Sequence, residues 1–225
     1  MSEYSLINGI KEYKVECLDF SNSGMSEKEI KILNAAIKAF SEKGFNAATT
    51  SEIAKNAEVA EGTIFRYFKT KKDILKGITV QMINLMSGRL VLNSIKKILK
   101  DAVDKDIREI LKEIILDRIN LVNAIFPMAK IVLMEALMHE EIRDAIFNNI
   151  IKAALDAFKE FYDVMLSKGL VRDDVDHVVL FRSILGNIGI FIAQSKVFDK
   201  YIAIDDFDKE IDRVIDVILF GIMKR

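Results

Sequence analysis

The feature that most constrains this chain is what it lacks. Its 225 residues include one proline, Pro127, and ten glycines that are scattered rather than clustered. Sheets need frequent tight turns built from paired Gly, Pro, Asn and Asp, and no such turn chemistry recurs here. An all-α fold is therefore expected. At 51% hydrophobic and 30% charged, the composition suits a folded protein with a sizeable core rather than a disordered one.

Helical periods then organise the chain. Residues 1–25 form a polar leader with no clear period, read as flexible or loosely packed. A helix starts at Ser26, with Glu27 and Glu29 in its first turn, where carboxylates complement the helix dipole. Ile30, Leu33, Ile37 and Phe40 make one apolar stripe. The stretch Glu42-Lys43-Gly44-Phe45 stops the helix, with glycine as the left-handed cap. Thr49 and Glu52 have capping-box spacing for a second helix of about two turns, with Ile53, Ala54 and Ala57 facing inward. A third short helix follows from about Ala60 to Phe68, and Thr70 with Asp73 opens a longer fourth one. Helices this short do not survive alone, because nucleation costs more than two turns of hydrogen bonds return. They must share a core with the first helix, which makes a helix-turn-helix unit.

Charge is distributed to match. Net charge is −1, yet Ser26–Lys76 carries ten Lys and Arg against seven Asp and Glu, a local balance of +3. Arg66, Lys69, Lys71, Lys72 and Lys76 fall in one short run offset only by Asp73. Such clustering is expected of a surface that faces phosphates.

In "ILNAAIKAFSEKGFNAATTSEIAK" and "EVAEGTIFRYFKTKKDIL" the sequence resembles the TetR family of bacterial transcriptional regulators, over about residues 28–76. The Gly-Phe stop, the paired threonines, "GTIFRYF" and the following lysines occur in order at the family's spacing. Glu58 stands where the family usually has glycine, and Phe65 where it often has tyrosine. The resemblance implies contact with double-stranded operator DNA. Thr50 and Ser51, beside the exposed amides of the second helix, suit a phosphate clamp. Tyr67 offers a hydroxyl and Lys71 a mobile charge to further phosphates, with Lys72 and Lys69 in support. Base reading falls to the start of the third helix: Glu61, Gly62, Thr63 and Arg66, with Phe65 against a thymine methyl or sugar.

Long amphipathic helices are expected beyond the head, at about 104–126, 128–138, 140–168, 175–197 and 205–223, with Pro127 at a kink or first turn. One small head reads too few bases to be selective, so two copies on a twofold axis are expected. The resemblance implies a homodimer built from the last two helices, through Gly186, Gly189 and Ala193 and a stripe containing Ile211, Ile215 and Ile218. It also implies a small-molecule effector cavity, for which Met82, Met86, Phe126, Met128, Met134, Phe147, Phe158 and Phe161 are the candidates, with Arg118, Lys130 or Arg182 as anchors. The organisation expected is a leader at 1–25, a DNA-binding head at 26–76 and an effector-binding and dimerisation region at 77–225.

Enzyme chemistry finds no footing. His139 and His177 sit in no metal or nucleophile motif, Cys17 is alone without a basic partner, and no glycine-rich phosphate loop occurs. No cofactor and no metal are expected. Neither a signal peptide nor an uninterrupted membrane-length apolar run is present, so a cytoplasmic protein without membrane contact is expected. The alternative is a helical ligand-binding or protein-interaction module that does not bind DNA.

Overall fold

The computed structural model describes residues 24–87, 105–201, 204 and 206–222. Most of the leader, including Cys17, lies outside them. Among the described residues every regular element is helical: α1 (Glu27–Lys43), α2 (Thr50–Asn56), α3 (Glu61–Tyr67), α4 (Lys71–Ser87), α5 (Ile107–Ala136), α6 (Glu140–Ile146), a π-helical turn (Phe147–Ile151), α7 (Lys152–Ser167), α8 (His177–Lys196) and α9 (Phe207–Ile222). These group into two compact units. One holds α1–α4, α5 from Ile125 onward, α6 and the π turn; the other holds the earlier part of α5 with α7–α9.

In the first unit the caps come from local sequence. Ser26 Oγ accepts from the Glu29 N–H at 3.3 Å and the Glu29 carboxylate accepts from the Ser26 N–H at 2.8 Å, a complete capping box. At the other end of α1, Gly44 takes φ 82° and its N–H donates to Phe40 O. Thr49 Oγ1 caps α2 by accepting from the Glu52 N–H. The box expected there is only half formed, because the Glu52 carboxylate bonds Lys43 Nζ at 2.5 Å instead. A charged donor outcompetes a neutral amide for a carboxylate.

Leu33, Ile53, Ile64, Ile74, Leu75 and Ile78 are fully buried in the core that these helices share, with Phe40 and Phe68 nearly so. Phe45 stacks edge-on against Phe40 at 5.3 Å. Gly77 is where α4 comes closest: a Cβ there would sit 3.1 Å from both Leu33 and Phe68. The core continues along α4 through Met82 and takes in Met128, Ile131 and Val132 of α5.

Glu58, between α2 and α3, has φ 56° and is the only non-glycine with positive φ among the described residues. Left-handed backbone costs an L-residue roughly 1–2 kcal/mol, partly offset by the extra chain entropy a glycine would lose. Glu58→Gly is expected to raise the unfolding free energy by about 1 kcal/mol, read as a higher urea midpoint at unchanged slope.

Two sequence expectations change beyond the head. Pro127 neither ends nor starts a helix: α5 runs unbroken from Ile107 to Ala136 around it. Proline removes one backbone hydrogen bond, at roughly 3 kcal/mol. Ile125, Met128, Ile131 and Val132, all buried around it, hold the helix together. The single helix expected over 140–168 is instead α6 and α7 joined by a five-residue π turn.

In the second unit Leu111, Ile115 and Ile119 of α5, Phe161 of α7, Leu180, Ile184 and Ile188 of α8, and Ile211 and Ile215 of α9 are all buried. Phe191 meets Phe207 edge-on at 4.9 Å. Lys112 pairs with Asp212 at 2.7 Å and Arg108 with Asp216. Gly169, at φ 68°, ends α7, as the Ser167-Lys168-Gly169 run predicts. By length and composition α5 and α8 are each apolar enough to cross a membrane.

Candidate nucleic-acid interface

Two apolar side chains decide which way α3 faces. Ile64 and Phe68 point into the core, so Glu61, Gly62, Phe65 and Arg66 are left exposed on the opposite side. Thr63 and Tyr67 lie at the boundary and are half-buried. Phe65 stands 47% exposed, unusual for a phenylalanine on a seven-residue helix. A Cβ on Gly62 would meet nothing within 4 Å, so its own chain does not require the glycine. The missing side chain instead leaves room for an outside body to approach the backbone.

The cations around this face differ in their duties. Lys71 is not the free-swinging charge expected from sequence. Its ammonium donates to Asn46 O at 3.2 Å and Ala48 O at 3.0 Å, and sits 4.7 Å from the centre of the Phe45 ring. It thereby ties the start of α4 to the loop between α1 and α2, while remaining part-exposed. Lys72 pairs with Glu141 of α6 at 2.7 Å, and Lys76 reaches the same carboxylate at 3.7 Å. The hydrogen bond from Lys72 holds the Glu141 carboxyl below its ordinary range. Arg66 and Lys69 are exposed and enter no ion pair among the described residues.

At the start of α2, Ser51 is exposed, whereas the Thr50 hydroxyl donates to Glu61 Oε1 at 2.7 Å. One expected phosphate ligand and one expected base reader are thus bonded to each other. Sequence reasoning missed this pair, Glu141 and the carbonyl seat of Lys71. Each joins residues distant along the chain, for which no local signal exists.

The remaining candidates are dispersed. Met82, Met86, Phe126, Met128, Met134 and Phe147 belong to the first unit, and Phe158 and Phe161 to the second. Met82, Met128 and Phe161 are buried, Met86, Phe126 and Phe158 half-buried, and Met134 and Phe147 exposed. Of the suggested anchors, Arg118 pairs with its neighbour Asp117, Lys130 donates to Ser41 O at 3.0 Å, and Arg182 is exposed. Among the described residues no cluster of His, Cys, Asp and Glu has metal-binding geometry.

On α8, Gly186 and Gly189 are exposed and border open space, and Ala193 is half-buried. The α9 stripe needs correction. Ile211, Ile215 and Ile218 are packed inside their own unit, so they present no surface to a second copy. The exposed apolar residues on α9 are Val217 and Phe220, 75% and 81% accessible, and Ile190 on α8 is 70% accessible. The most apolar stripe of a helix goes to its own core, and periodicity alone does not say which wall covers it.

Residues 32–78 match the family model described as bacterial regulatory proteins, tetR family. The head of the chain thus resembles that of TetR-family regulators. Over 48 residues it is 48% identical to the fatty acid metabolism regulator protein of Bacillus subtilis, a match covering 21% of this chain and 25% of that protein. The chain thus spans about a quarter of that curated relative's length. Likeness to solved structures extends further. The fatty acid degradation regulator FadR from Bacillus halodurans shares 25% identity at a TM-score of 0.64, covering 89% of this chain and 99% of that one. FadR from Bacillus subtilis, solved in complex with stearoyl-CoA, shares 26% identity at a TM-score of 0.59, covering 85% and 97%. These TetR-family relatives are regulators, not enzymes.

Proposed function

We propose that this chain is a ligand-responsive transcriptional repressor of the TetR type, in the bacterial cytoplasm. It binds a palindromic DNA operator as a homodimer and is released by a small apolar or amphipathic effector. Residues 26–76 form the reading head, and residues 77–225 serve effector binding and dimerisation. The observation that carries this reading is the outward face of α3, where Glu61, Gly62, Phe65 and Arg66 are exposed on a helix whose other side is anchored in the core. Arg66 and Lys69 supply unpaired positive charge beside it, and Ser51 and Tyr67 supply hydroxyls to phosphates. Lys72 joins them by exchanging Glu141 for a phosphate, and Lys71 contributes its field from a fixed seat.

For the effector, the likeness to FadR from Bacillus subtilis, which was solved with stearoyl-CoA, covers most of both chains and supports a long-chain acyl-CoA. The Met and Phe side chains of the middle helices suit a variable apolar tail. A ligand shifts the balance between DNA-competent and released geometries only through its differential affinity for the two.

A gel shift with the DNA upstream of the protein's own gene tests this. Affinity is expected to fall steeply as salt rises from about 50 to 200 mM, because phosphate contacts release counterions. Adding stearoyl-CoA at fixed salt is expected to lower it further. Salt-independent or absent binding would leave a helical module that takes a ligand or a protein partner without touching DNA.

A further inference from the structure

The hydrogen bond from Thr50 to Glu61 joins the first turn of α2 to the first turn of α3. A hydroxyl carries a single proton, and a proton given to Glu61 is not available to a phosphate. A glutamate side chain is long and rotamer-rich, and an exposed one ordinarily samples many positions. Here one carboxylate oxygen is held at 2.7 Å by a neighbour that is itself fixed in a helix. The other, Oε2, accepts no hydrogen bond among the described residues.

An ionised carboxylate only accepts. Along the major groove the groups that only accept, N7 and O6 of guanine, repel it, while the exocyclic amine of cytosine donates to it. The geometry points to Thr50 as a positioning residue for sequence readout: it holds Glu61 so that the free carboxylate oxygen accepts from the N4 amine of a cytosine in each half-site. The phosphate contact at the start of α2 then falls to Ser51 alone. This assignment rests on the DNA-binding reading above and adds to it which side chain fixes which base, and through which partner.

Selection from a pool of randomised duplexes by the full chain tests it, comparing wild type with T50V, T50S and E61Q. Wild type is expected to enrich cytosine at one position of each half-site. E61Q is expected to move that preference to adenine, since a glutamine amide matches the adenine edge. T50V is expected to weaken the cytosine preference about tenfold, with preferences elsewhere and the salt slope unchanged, and T50S is expected to retain it. If T50V weakens binding to all duplexes alike and makes the salt slope shallower by about one phosphate, Thr50 is a phosphate ligand and the assignment is overturned. Salt-dependent binding in which E61Q changes no base preference also overturns it, while the DNA-binding reading stands. Wild type with no salt-dependent binding overturns both. Should T50V fail to fold, T50A, which also lacks the hydroxyl, is read by the same two outcomes.

Discussion

Replacing Val217 and Phe220 together with aspartate is expected to yield a folded monomer whose operator affinity is lower by about a hundredfold or more. Both side chains are exposed on α9, on the side away from the buried Ile211, Ile215 and Ile218, so their loss opens no cavity. Ile190 of α8 is similarly exposed, and Gly186 and Gly189 let another helix approach closely. A two-copy interface here would bury these residues, and four aspartates at it would repel one another while desolvated. The monomer keeps its head and its phosphate contacts, so it retains weak, salt-dependent binding to any duplex. What it loses is simultaneous engagement of two half-sites, and with it most of the specific affinity. Analytical ultracentrifugation reads the mass and a gel shift reads the affinity. A variant that stays dimeric would move the interface elsewhere on the chain.

The second large effect is expected at Ile64. This residue is fully buried, and it is the only side chain of α3 proper that is buried. Ile64→Ala is expected to cost about 3 kcal/mol, within the usual range for truncating a buried isoleucine. Because α3 has seven residues, too few to persist unaided, the loss is expected to appear as local release of α3 as well as a lower global midpoint. Amide exchange across residues 61–68 should quicken, and operator binding should fall with it. Arg66→Ala offers the contrast: it leaves exchange unchanged and weakens DNA binding, because that side chain is exposed and anchors nothing. Equal exchange in I64A and R66A would mean that α3 is held by contacts other than this core.

Much of the head can be read from short stretches of chain. The α1 stripe, the Gly44 stop and the Thr49 cap each follow from interactions spanning four residues or fewer. Helical period, capping and backbone chirality are all local, so the residues that cause them are the residues that show them. The α3 boundaries followed the same logic, and they were needed to place Glu61, Gly62, Thr63 and Arg66 at its start.

What only the tertiary structure decided is where each surface finds its partner. Pro127 reads locally as a helix boundary, yet buried neighbours on both sides carry α5 through it. Lys71 reads as a surface cation, yet two loop carbonyls and the Phe45 ring take it. Lys72 and Lys76 share Glu141 across helices far apart in sequence, and Thr50 gives its proton to Glu61 rather than to an incoming phosphate. The sequence by itself determined the all-α class and, in the head, the helices and their ends, because those depend on hydrogen bonds and side chains within a turn or two. Which face of α9 turns inward, and which charges stay unpaired at the surface, depend on distant residues competing for the same partners, and only packing settles that competition.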